Sequence, residues 1–139
     1  MGSKVIWGKI KYPAESHWRE PPMVVRRMEG TVPQEVAGCP GVTKRVVLGR
    51  AEGSEEIALR YFALAPGAET PRHAHDFPHL VKVEVGRGVA VDEDGHEVLL
   101  SPGDYVYVAS NELHNFKNTG DTPFEFICIV PARGEPPVA

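Results

Sequence analysis

Three histidines, His73, His75 and His79, stand within seven consecutive positions. The chain has six histidines in 139 residues, so an even spread would put about 0.3 of one in such a window. Neutral imidazole is the commonest protein ligand for transition metals. Imidazoles gathered against a dry interior are costly unless something satisfies their nitrogens. A fourth, His114, follows 35 residues after His79 and can join the others only if the chain folds back over itself. The chemistry on offer is a metal centre; the plain alternative is a histidine cluster on the surface.

The elements that must position these side chains read as short strands. Side chains at i and i+2 of a strand share a face. His73, His75 and His79 keep the same parity as Val81, Val83 and Val85, against Leu80, Lys82 and Glu84. This predicts a strand with one apolar face whose upstream end carries imidazoles. Upstream, Val42–Leu48 runs into a Gly-rich loop, and 56–64 alternates, with Ala58, Arg60, Phe62 and Leu64 on one side. Asp92-Glu-Asp-Gly95 is a hairpin signal between 89–91 and 96–100. Beyond it, 105–108 reads as a strand, 113–117 carries His114 and Phe116 on one face, and 124–130 puts Phe124, Phe126, Cys128 and Val130 on one side. No stretch holds a helical period. Close-set short strands with Gly and Pro turns predict an all-β sandwich or barrel with little or no helix. Residues 1–24 form an expected N-terminal arm, 25–131 one barrel domain and 132–139 a tail.

Two spaced motifs resemble those of the cupin superfamily. In the first, Gly67, His73, His75 and Gly86 fall in place, and His79 stands where the family usually has Glu. In the second, Gly103, His114 and Asn118 match, while Ala109 replaces the Pro and Asn111 the Gly. Asn enters left-handed backbone geometry more readily than other non-Gly residues, so the turn can persist. The likeness covers 67–118 and extends over flanking strands to about 42–131; it is nearest in character to small four-histidine manganese-binding cupins. It implies a double-stranded β-helix jelly roll, usually a homodimer, with a metal held by His73, His75, His79 and His114.

Four neutral imidazoles leave the full charge of a divalent ion uncompensated, where a Glu ligand would neutralise part of it. Such a centre favours an anionic or chelating guest at its open positions. An all-imidazole set suits Fe, Ni, Cu or Zn by ligand softness, whereas the resemblance favours Mn; Mn and Fe rank together, ahead of Ni and Zn. His79 is either the fourth ligand or an occupant of the Glu position beside a three-His centre. Glu84 has the wrong parity to substitute. Around the centre, Phe116, Phe126 and Cys128 are expected to line a pocket or simply to fill the barrel core. Arg60, charged among apolar neighbours, belongs either at a barrel mouth or inside to meet an anion. No catalytic acid or base is identified. Phe77 reads as a rim residue, and His17 and His96 as surface residues.

Two function classes follow. One is a metal-dependent oxygenase-type enzyme, a dioxygenase in the first instance, acting on a small chelating or anionic organic substrate. The other is a non-catalytic small-molecule or sugar-binding module, such as a sensor. A net charge of −4 argues against nucleic acid as a partner, and no run is long and apolar enough for a membrane span. Cys39 and Cys128 have no Cys-x-x-Cys spacing, which suits a reducing, cytoplasmic setting.

Overall fold

The computed structural model describes residues 4–7, 10–13 and 23–136. His17, and the other parts of the expected N-terminal arm at 1–3, 8–9 and 14–22, lie outside them. Eleven strands follow in order: β1 Lys4–Trp7, β2 Ile10–Pro13, β3 Gln34–Glu35, β4 Val42–Leu48, β5 Ile57–Leu64, β6 His79–Val85, β7 Gly88–Val91, β8 Glu97–Leu100, β9 Tyr105–Val108, β10 Asn115–Lys117 and β11 Phe124–Pro131. Three one-turn 3-10 segments, at Met28–Gly30, Arg50–Glu52 and Ala132–Gly134, are the only helical elements among the described residues. None is long and apolar enough to cross a membrane. The all-β expectation holds.

Within the arm, β1 and β2 pair antiparallel. The barrel consists of a six-stranded sheet, β3-β4-β5-β11-β6-β9, and a three-stranded sheet, β10-β7-β8. Every paired neighbour is antiparallel. The core lies between the sheets because alternation puts one side of each strand inside. On β11, Phe124, Phe126, Cys128 and Val130 are all buried, and every intervening residue is partly exposed. On β5, Ala58, Arg60 and Leu64 are buried. The register sets Phe124 opposite Leu64, Phe126 opposite Phe62 and Cys128 opposite Arg60, so the inner faces of both strands meet as one surface. Burying a Phe or Leu side chain contributes roughly 1.5–3 kcal/mol, and this shared face supplies much of the core.

The turns are enforced by specific residues. Gly86 closes the first motif at φ 75°, and a Cβ there would overlap the carbonyl of Pro123. Only glycine allows the end of β6 to run that close to the start of β11. Asn111, in place of the second motif's Gly, takes φ 66°, the left-handed conformation its side chain tolerates. Its backbone N–H donates to the His75 carbonyl at 2.5 Å, so this turn also holds the histidine segment.

Two expectations are corrected. The predicted histidine strand begins only at His79. Pro71 and Pro78 have no N–H to give to a ladder, and 71–78 is irregular save for a bridge between His73 and His114. The segment read as a tail does not leave the barrel at 132: Ala132 is buried, and its N–H donates to the Glu56 carbonyl at 2.9 Å.

Candidate metal centre

His79 is the first residue of β6, on the inward side shared with Val81 and Val83. His114 precedes β10, and its backbone exchanges hydrogen bonds with that of His73, each N–H donating to the other's carbonyl at 3.3 Å. His75 is held through its carbonyl by Asn111. The four imidazoles thus arrive from one strand of the large sheet, from the entry to the small sheet and from the irregular 71–78 segment. Ring centroids are 4.2 Å apart for His73–His75, 4.8 Å for His79–His114, 5.2 Å for His75–His79 and 6.0 Å for His75–His114.

Burial grades across the set. His79 is buried, His75 and His114 are half-buried and His73 is exposed. Burial, reinforced by the neighbouring imidazoles, pushes His79 down to about 3. Burial followed by the charges of His73 and His114 lowers His75. His114 is lowered chiefly by burial, opposed by the hydrogen bond its Nδ1 makes to the Glu112 carbonyl at 2.8 Å. At neutral pH these three rings are uncharged and keep a lone pair available.

His79 Nδ1 is buried and has no hydrogen-bond partner. An orphaned buried polar atom costs about 1–3 kcal/mol, and a ligand for which imidazole is suited would relieve it. The donor chemistry therefore fits a transition metal. No three of these histidines have donor atoms that all lie within 4.8 Å of one another, so a shared ion requires their rings to reorient. Among the described residues, the one trio whose donor atoms all lie within 4.8 Å of one another is Asp92, Asp94 and His96, on the exposed β7–β8 hairpin. There Asp92 Oδ1 accepts the N–H groups of Asp94 and His96 at 3.0 and 2.8 Å, which is turn chemistry.

The four histidines open on a cavity of about 380 Å³, also lined by Arg60, Phe116, Phe126 and Cys128. Every site residue picked from the sequence thus borders one space. Phe77 stacks on His75 at 4.9 Å and borders it too. A row of side chains crosses it: His114 to Phe116 at 6.2 Å, Phe116 to Phe126 at 4.8 Å, Phe126 to Phe62 at 5.4 Å, and Phe62 to the Arg60 guanidinium at 5.3 Å. Arg60 is 7% exposed, so of its two expected settings the inward one is found. Its Nε donates to the Cys128 carbonyl at 3.4 Å, Nη2 to Cys128 Sγ at 3.1 Å and Nη1 to Glu135 Oε1 at 3.0 Å. Burial raises the Cys128 thiol, which stays protonated. Glu84 pairs with Lys82 at 3.0 Å and does not line the cavity.

Sequence reasoning missed Lys44, Phe62 and the 133–136 segment as wall material. Lys44 was detectable, since it shares parity with the buried Val42 and lies opposite Phe62 in the β4–β5 register. Glu135 had no local signal, because its partners are 75 and 91 residues away.

This fold and this clustering of imidazoles define a class. Residues 60–130 match the cupin domain family, and the protein belongs to the cupin superfamily. An oxalate-binding protein of Thermotoga maritima is 31% identical over 114 residues, spanning 78% of this chain and 93% of that protein. Among solved structures, a predicted oxalate decarboxylase of Thermotoga maritima is similar with a TM-score of 0.69 at 26% identity, over 78% of this chain and 98% of that one. A polyketide cyclase of Streptomyces resistomycificus gives 0.75 at 23% identity, over 79% and 80%, a likeness of fold. Cupins commonly bind a divalent metal.

Proposed function

We propose that this cupin holds one divalent transition ion, Mn or Fe ahead of Ni or Zn, on His73, His75, His79 and His114. It acts there on a small chelating or anionic organic molecule, as an oxygenase-type enzyme. The observation that carries this is the unpartnered Nδ1 of buried His79 among neutral imidazoles at one cavity. The ion would supply Lewis acidity and, for Mn or Fe, redox chemistry toward dioxygen. The protein's part is to orient the guest. Phe62, Phe116 and Phe126 form the apolar wall, and Arg60 faces an anionic group. Among the described residues the carboxylate that reaches this cavity wall, Glu135, is tied to Lys44 and Arg60, so no side chain is assigned as general base.

A second reading, non-catalytic binding of a small molecule, is supported by that missing base and by the oxalate-binding relative. A homodimer is the expected assembly. It is supported by exposed Leu80 and Tyr107, paired across β6 and β9 beside the exposed Tyr105, and is checked by sedimentation.

The deciding experiment is elemental analysis of wild type and His79→Ala purified without chelators. One equivalent of Mn or Fe in wild type and marked loss in the variant is expected. No metal in either protein, even after incubation with Mn(II) or Fe(II), overturns the centre; full metal in the variant reduces it to three histidines. Oxygen consumption by loaded protein with oxalate as probe, against recovery of unchanged oxalate, separates enzyme from binding module.

A further inference from the structure

Arg60 is not the only cation at the cavity wall. Lys44 projects from β4 onto the same face and also lines it. Both converge on one carboxylate: Lys44 Nζ lies 2.8 and 3.0 Å from the two oxygens of Glu135, and Arg60 Nη1 lies 3.0 Å from one of them. All three side chains are largely out of solvent, 8% exposed for Arg60, 11% for Glu135 and 19% for Lys44. The charge does not balance, because two cations face one anion. Nor are the donors used up. A guanidinium has five N–H groups and an ammonium three; Arg60 commits three, to Glu135 and twice to Cys128.

Glu135 is delivered by a segment that bridges two parts of the site. Arg133 Nη1 pairs with Asp76 Oδ1 at 3.0 Å, and its guanidinium sits 5.5 Å from the Phe77 ring centre. Gly134 packs on Phe77 so closely that a Cβ would come within 2.6 Å of the ring. The strap thus runs from the histidine segment to the Arg60–Lys44 corner.

We propose that Arg60 and Lys44 form a carboxylate-binding subsite of the cavity, for which Glu135 of the C-terminal strap is the built-in competitor. This rests on the proposed function for the cavity but not on the metal. The class of ligand is an organic carboxylate with an apolar body, its body against Phe62 and Phe126 and its carboxylate on the residual positive charge of the corner. Occupancy of the corner by Glu135 reduces the apparent affinity to the fraction of time the corner stands free. Removing the competing charge restores it.

The test is calorimetric titration of full-length protein with benzoate and with its neutral counterpart benzamide, in metal-free and Mn(II)-loaded forms. Benzoate is expected to bind more tightly than benzamide in both forms. Glu135→Gln, which keeps an oxygen to accept from Arg60, is expected to tighten benzoate about tenfold, as it would if the corner is claimed nine-tenths of the time. It should leave benzamide unchanged. Lys44→Gln, at a position less buried than Arg60, is expected to weaken benzoate several-fold. Equal affinity for the two compounds, or unchanged benzoate affinity in Glu135→Gln, overturns the subsite. Charge selectivity in a protein that takes up no metal would sustain the subsite while removing the metal centre; metal uptake without charge selectivity would do the reverse.

Discussion

His73 and His114 are bound to each other through their backbones, each N–H donating to the other's carbonyl at 3.3 Å. They belong to the two separate sequence motifs, and this pairing, together with the Glu69–Lys117 bridge, joins the motifs without help from their side chains. Main-chain hydrogen bonds and buried apolar area thus bring the four imidazoles to one place. Stripping the protein of metal should lower its melting temperature yet leave one cooperative transition and intact near-ultraviolet circular dichroism. Loss of that dichroism on chelation would show that the ion builds the scaffold.

Acid should destabilise the metal-free protein over a defined range. His79 is held down to about 3 in the fold, and His75 and His114 are also lowered. In the unfolded chain each takes up a proton near 6.5. Between those values the unfolded state binds more protons, so stability falls as pH drops through 6.5 toward 3, at about 1.4 kcal/mol per pH unit for His79 alone. Above 6.5 these groups contribute no slope. Urea unfolding at stepped pH checks this. His79→Gln should flatten the slope by one proton, and an identical slope in that variant would exclude His79 as its source.

Asn118 ends the second motif and does structural work. It is 2% exposed, its Nδ2 donates to the carbonyls of Leu64 and Thr122 at 2.9 and 2.8 Å, and its Oδ1 accepts the Gly120 N–H at 2.9 Å. Asn118→Ala strands these groups, at about 1–3 kcal/mol for each one left buried and unmet. A loss of about 3 kcal/mol or more in denaturant unfolding is expected, with metal content of the folded fraction unchanged. A loss below about 1 kcal/mol would mean that water replaces the side chain.

Gly86 and Gly95 make a controlled pair. Both have left-handed backbones, at φ 75° and 85°, but a Cβ at Gly95 meets nothing within 4 Å while one at Gly86 meets Pro123. Gly95→Ala should cost only the conformational term, on the order of 1 kcal/mol. Gly86→Ala adds a backbone collision and should prevent accumulation of soluble protein or cost several-fold more. Equal melting temperatures for the two variants would contradict the close approach of β6 and β11.

The inner face of the barrel was legible on β11, where burial alternates without a break from Phe124 to Pro131, and less cleanly on β5, where Ala58, Arg60 and Leu64 are buried but Phe62 is half-buried. The same argument failed across 71–78. There the shared parity of His73 and His75 suggested a strand, but Pro71 and Pro78 interrupt the ladder, and His75 is held by Asn111 instead. His114 could be placed near the first cluster only through the resemblance of motifs, since no local pattern brings together residues 35 positions apart. The C-terminal strap was illegible for a physical reason. Pro-Ala-Arg-Gly-Glu-Pro has no periodicity, and its burial follows from long-range ion pairs that composition does not reveal.

His79 lies in the six-stranded sheet, whereas His114 stands at the entry to the three-stranded one. An ion bound by both would act as a rivet between two layers otherwise joined by side-chain packing, connecting segments and hydrogen bonds such as that from Asn118 Nδ2 to the Leu64 carbonyl. Sliding of one layer over the other would then require a coordination bond to break. The mechanical result is that loading should slow amide hydrogen exchange in β6 and β10 together, although the two strands belong to different sheets.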